Sequence, residues 1–333
     1  MGAAAAMCPA LGELEFSGRC YAKAAYQFPH LTRLVVQDFR RPPRREDASS
    51  DEDEEEGFES DGADESEWYL SSVAPKLEAL ACSGRGNGLA SAAEGHPALR
   101  ELELDFSETH GMDEPDAGRW PSVCATLPQL SSLVFKCAPG SSTAFEHGDY
   151  GSSQDHVDEL YDAIQELGEC KRLAHLGLSA HGYEGVWPSD LLEHVGEAAG
   201  TRLVSLALAG GEIRDDRECW YQAMFGSGVA CKYPRLEVLR LAVRLCYHPV
   251  QEDALLEVLR TLAGEAEEWS PTLRELSACI ELDWRLPADV MRRVHARCEQ
   301  LSAACDGVGL YFDILQPEHD PFDPDYPERL EMR

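Results

Sequence analysis

The spacing Leu-x-x-Leu-x-Leu recurs along this chain, and no other feature restricts its fold as tightly. Nine copies are present: Leu11/Leu14/Phe16, Leu31/Leu34/Val36, Leu77/Leu80/Cys82, Leu99/Leu102/Leu104, Leu130/Leu133/Phe135, Leu173/Leu176/Leu178, Leu203/Leu206/Leu208, Leu236/Leu239/Leu241 and Leu273/Leu276/Ala278. In seven of them a proline stands two residues before the first leucine, as Pro9, Pro29, Pro75, Pro97, Pro128, Pro234 and Pro271, while Lys171 and Arg202 fill the adjoining slot in the other two. A unit repeated at roughly 20 to 45 residues cannot bury its apolar side alone and does so against its neighbours, which is how a solenoid is built.

The proline fixes φ and removes an N–H just ahead of the leucines, which suits a turn entering a sheet and stops any helix arriving from upstream. The fourth and sixth positions of each copy then alternate inward with a period of two, so each copy predicts a short strand. Between the strands the period changes. Val157, Leu160, Tyr161, Ile164 and Leu167 sit at helical spacing, as do Leu255, Leu259 and Leu262, and Val290, Met291, Val294, Cys298 and Leu301. Pro188-Ser189-Asp190 ahead of Leu191 and Leu192 predicts one more helix start. Strand, turn and returning helix in constant order predict an α/β solenoid, curved, with parallel strands on the concave face and helices or irregular segments on the convex face. A doubly wound α/β domain would not repeat one proline-leucine spacing along its length.

The form P-x-L-x-x-L-x-L, with irregular repeat lengths and helical return limbs, resembles the leucine-rich-repeat superfamily from about Pro9 to about Leu301. Within it, the chain is most similar to the repeat region of F-box/leucine-rich-repeat proteins and their ribonuclease-inhibitor-like relatives. The resemblance implies a non-catalytic scaffold that binds a partner protein on its concave strand face. More narrowly, it implies the substrate-recognition subunit of an SCF-type ubiquitin ligase, with ligase subunits among its partners. The first copy begins at Pro9 and leaves no room for an F-box, and the asparagine that usually follows the strand is missing from most copies. A terminal repeat needs a polar cover, so a copy starting there is expected in a chain that once continued upstream, its F-box missing or cryptic.

The repeats predict one solenoid domain over 1–310, of about nine irregular units, with a capping or trailing segment over 311–333. Leu31 and Leu77 are 46 residues apart, and the surplus length is an acidic insert at 40–67. Its charge run is almost without apolar residues and predicts a disordered loop. Arg40, Arg41, Arg44 and Arg45 precede the acids, and Ser49 and Ser50 each have an acid three residues on, the context of acidophilic phosphorylation. The net charge of −32 argues against a nucleic-acid groove and favours basic or neutral protein partners. No run of apolar residues is long enough to span a bilayer, the first residues lack a basic signal region, and Gly2 lacks the myristoylation context. The twelve cysteines are scattered without a C-x-x-C pair, which fits a reduced intracellular setting, cytoplasmic or nuclear, rather than a disulfide framework or a zinc site. A monomer is expected.

A hydrolase or transferase grafted on the repeats would need a converging acid, base and nucleophile, and none is legible. No phosphate loop, nucleophile elbow or zinc-protease motif occurs, so no catalytic residue, metal ligand or cofactor is assigned. The glycine-rich stretch at 84–88 reads as a turn, Asp320, Asp323 and Asp325 as part of a trailing segment interrupted by prolines, and His175 and His181 as surface groups. Alternation instead gives a candidate partner-binding set: Glu13, Arg33, Gln37, Glu101, Glu103, Asp105, Ser132, Lys136, His175, Ser205, Arg240 and Glu275. Charges of both signs at these positions suit a protein surface better than a small apolar ligand.

Overall fold

In the computed structural model the described residues are 10–17, 27–37, 70–83, 93–105, 120–136, 161–162, 164–179, 190–213, 229–245, 252–269, 272–282, 285–305 and 307–316. The chain divides into two compact units, Met1–Leu130 and Ser131–Arg333.

The first unit contains β1 (Glu13–Ser17), β2 (Arg33–Gln37), β3 (Ala79–Ser83) and β4 (Glu101–Asp105), with the short helices α1 (Leu70–Val73) and α2 (Trp120–Ala125) on the return limbs. Its strands are parallel, in chain order and without a shift of register: Leu14, Leu34, Leu80 and Leu102 form one row, and Phe16, Val36, Cys82 and Leu104 the next. Leu34, Leu80, Leu102, Val36, Cys82 and Leu104 are buried, so the recurring leucine spacing is the core of this unit.

The second unit contains β5 (Ser132–Lys136), β6 (His175–Ser179), β7 (Ser205–Ile213), β8 (Val238–Leu245), β9 (Glu275–Leu282) and β10 (Gly309–Leu315), again parallel and in chain order. Leu133, Leu176, Leu206, Leu239, Leu276 and Leu310 make one continuous buried row. The helical spacings are realised as α3 (Leu191–Val195), α4 (Glu252–Trp269) and α5 (Ala288–Ala304). In α4, Leu255, Leu259 and Leu262 are buried, and in α5, Met291, Val294 and Cys298. Residues 161–162 and 164–166 are helical and run into a 3-10 turn, Leu167–Glu169; Val157 and Leu160 of that stripe lie outside the described residues.

The proline slot has a definite structural meaning. It is the second residue of a β-turn, closed where the N–H of the lead leucine donates to the carbonyl three residues back: Leu31 to Phe28, Leu77 to Ala74, Leu130 to Leu127 and Leu236 to Tyr233. Leu173 closes the same turn on Cys170 with Lys171 in the slot. Leu203 bonds to Ala199, four residues back, because a helical return limb runs directly into this copy, which explains why it has no proline. The residue before the slot is buried in each unit: Phe28, Ala74, His96 and Leu127 in the first, Cys170 and Tyr233 in the second.

The step between neighbouring strands is equally regular. One carbonyl accepts from two successive N–H groups of the following copy: Gly12 from Thr32 and Arg33, Thr32 from Glu78 and Ala79, Glu78 from Arg100 and Glu101. Ser131, Ala174, Val204 and Glu237 repeat it in the second unit. β10 is a tenth strand beyond the nine leucine copies, reaching Leu315 within the stretch 311–333 that the sequence predicts as a capping or trailing segment. Leu310 pairs with Leu276 and Phe312 with Ala278, but Gly307, with φ of 94°, stands where the lead leucine would be.

Candidate functional site

The strand positions that alternate with the leucine rows carry the candidate site. In the first unit Glu13, Arg33, Ala79 and Glu101 occupy one row, and Glu15, Val35, Ala81 and Glu103 the next. Glu13, Arg33 and Glu101 are exposed, whereas Glu103 and Asp105 are half-buried. Gln37 has its backbone in register with Ser17 and Ser83. The structure thus groups the three acids of β4 along a single strand, and sets two small-residue positions of β3 between Arg33 and that strand.

In the second unit Ser132, His175, Ser205, Val238 and Glu275 fall in one row. His175 and Lys136 are exposed; Ser132 and Ser205 are half-buried. Arg240 belongs to the next row, yet its Nε and Nη2 both donate to Oε1 of Glu275 at 3.3 Å, which joins β8 to β9 across the outward side. With Arg240 largely exposed, such a pair contributes little to stability, on the order of 0–1 kcal/mol, and both groups can exchange partners at small cost.

Leucine spacing gives no hint of the small residues between these charges. Val134, Gly177, Ala207, Ala209 and Ala242 occupy outward positions on β5 to β8, so polar groups there rise from a low floor. Tyr311 and Leu315 on β10 also face outward, at alternate positions of Gly309–Leu315 that lie beyond the last leucine copy. Ser49, Ser50, His181, the insert at 40–67, the glycine-rich stretch at 84–88 and Asp320, Asp323 and Asp325 lie outside the described residues.

Two polar clusters occur on the return limbs of the second unit. Lys232 Nζ donates to Glu193 Oε1 and Glu197 Oε1, each at 2.8 Å, which raises the lysine above its ordinary value and lowers Glu197. The Tyr161 hydroxyl donates to Asp190 Oδ1, His194 Nε2 lies 3.4 Å from Asp190 Oδ2, and the Tyr161 and His194 rings stack at 3.9 Å. Both tie one return limb to the next.

No disulfide joins the cysteines among the described residues. Burial, helped by the Glu103 carboxylate, pushes Cys82 up to about 12, and burial holds Cys170 at about 11 despite Arg202 nearby. Neither is a thiolate at neutral pH, so both pack as small apolar groups. Among the described residues no group of three or more His, Cys, Asp or Glu is arranged to hold a metal ion, and no helix is long and apolar enough to cross a membrane. What the outward rows offer chemically is hydrogen bonding and charge of both signs on a repeating lattice. Comparison of the chain with protein-family models gives no match, and comparison with curated proteins gives none.

Proposed function

We propose that this chain is a leucine-rich-repeat protein that binds another protein through its outward strand face, the concave face of such a solenoid, without catalysis of its own. The observation that carries the proposal is the shared register of the leucine rows within each unit, which sets variable side chains in rows while the leucines hold them from below. Neighbouring strands lie about 4.8 Å apart, so such rows form a lattice fine enough to match a protein surface residue by residue. Half-buried serines and alanines between charged groups support close approach of a broad partner, and twelve cysteines scattered without a C-x-x-C pair support a reducing, intracellular setting.

The test is affinity purification of the tagged chain beside the variant Glu101→Lys, Glu103→Lys, Asp105→Lys, with circular dichroism to establish that both fold alike. Partners retained by the parent and lost by the variant are the expected result; an identical partner set would remove the outward face from consideration. Recovery of ubiquitin-ligase adaptor and cullin subunits with both forms would support the narrower function, substrate recognition for an SCF-type ligase, to which the P-x-L-x-x-L-x-L motif is similar.

A further inference from the structure

β10 differs from every other described strand in what it leaves uncovered. Tyr311 and Leu315, 60% and 47% exposed, are the large hydrophobic side chains that stand in solvent among the described residues. They share the outward side of one strand, with exposed Asp313 between them. The Tyr311 ring lies across Gly309, where a β-carbon would come within 3.0 Å of it, so the aromatic face is set down on the strand rather than free in solution.

Three further features concern the edge of that strand. β10 pairs with β9, and among the described residues no strand pairs with its other side; the Leu310 carbonyl accepts from the Ser302 hydroxyl at 2.8 Å, and beyond it the edge from Phe312 onward has no strand on it. Phe312, on the inward side, is half-buried, whereas its row neighbours Ala278 and Leu241 are buried, so apolar core surface is open along the same edge. Asp313 has no ion-pair partner among the described residues, and its charge helps raise the Cys279 thiol beside it, after burial itself.

We infer that the free edge of β10 receives an extended segment of a partner protein as an additional strand, with apolar, basic and apolar side chains at alternate positions beside Tyr311, Asp313 and Leu315. Main-chain hydrogen bonds to the edge supply affinity, and the alternate side chains supply selectivity. The intervening residues of the segment are apolar and cover Phe312. A second copy of this chain fits poorly: two β10 strands paired antiparallel about Asp313 would set that carboxylate against itself, between chains that each carry −32. The inference goes beyond binding on the outward face, since it uses a strand edge, and its variants touch none of the residues tested for that face.

Fluorescence anisotropy of short labelled peptides with the full chain tests it. One peptide carries apolar, Lys and apolar residues at alternate positions; its twin carries Glu in place of Lys. The parent should prefer the Lys peptide by about threefold, the scale of a cross-strand charge pair, and Asp313→Lys should reverse the preference. Tyr311→Ala should weaken both peptides without moving the thermal midpoint. Absence of binding to either peptide, or a preference that survives Asp313→Lys, would overturn the inference. So would slow hydrogen exchange, before any peptide is added, at the β10 amides directed away from β9, because the chain would then occupy the edge itself. A dimer dissolved by Tyr311→Ala would likewise assign the edge to a second copy.

Discussion

His96 stands in the position ahead of the slot, otherwise filled by apolar side chains in its unit, and it is fully buried there. Its Nε2–H donates to the Ala74 carbonyl at 3.0 Å, and its Nδ1 accepts from the Ala98 N–H at 3.3 Å, so the ring is satisfied only when neutral. Burial holds its affinity for protons below the ordinary value of 6.5, against the opposing pull of the Ala74 bond. The unfolded chain takes up the proton first on acidification. The stability His96 contributes is therefore present above about pH 6.5 and is lost as pH falls through that value toward the lowered folded one. Urea midpoints at about pH 7.5 and about pH 5.5 should differ more in the parent than in His96→Gln, which cannot titrate. A second residue test concerns close approach. A β-carbon on Gly200 would lie 2.4 Å from the Lys232 carbonyl oxygen, whereas one on Gly264, on α4, would meet nothing within 4 Å. Gly200→Ala should cost about 1–3 kcal/mol in denaturant titration, and Gly264→Ala should stabilise by about 0.5–1 kcal/mol, since it only removes backbone freedom from the unfolded chain.

At the scale of the element, a strand is held by the rows on both of its sides, so position in the order decides what a leucine is worth. Leu206 on β7 is flanked by Leu176 and Leu239, and Leu206→Ala should cost about 2–5 kcal/mol; Leu310 on β10 has Leu276 on one side, and its truncation should fall at or below the low end of that range by urea titration. The leucine spacing makes these rows legible in the sequence, because inward alternation and outward alternation are one fact about a strand. The prolines announced the turns for the same reason. β10 stayed hidden because Gly307 replaces its lead leucine, and the buried position ahead of the slot stayed hidden because the Phe, Ala, His and Leu of the first unit and the Cys and Tyr of the second share burial rather than chemistry. The bulge between Ala209 and Glu212, where Gly210 has φ of 86°, had a legible cue in its paired glycines. The contacts of Tyr161 with Asp190 and His194 join segments about thirty residues apart, and no periodicity encodes such a meeting.

For the molecule as a whole, charge is the dominant long-range quantity. Residues 40–67 hold thirteen acids and four arginines, a net −9 out of −32, which leaves −23 on the rest of the chain. Self-repulsion of that size opposes compaction and is screened once the Debye length falls to about 10 Å, near 0.1 M salt. The thermal midpoint should rise between about 0.02 M and about 0.3 M sodium chloride, and the rise should persist after deletion of 40–67, because most of the charge remains. A midpoint indifferent to salt would mean that the acids are paired off locally. Chain length and register are independent in the first unit: Leu31 to Leu77 spans 46 residues and Leu77 to Leu99 only 22, yet Arg33, Ala79 and Glu101 share a row. Insertions and deletions in a return limb are therefore nearly silent to the outward rows, so a lineage can gain a new processing or targeting signal there, and an experimenter can graft a reporter sequence, without rewriting the side chains that those rows display.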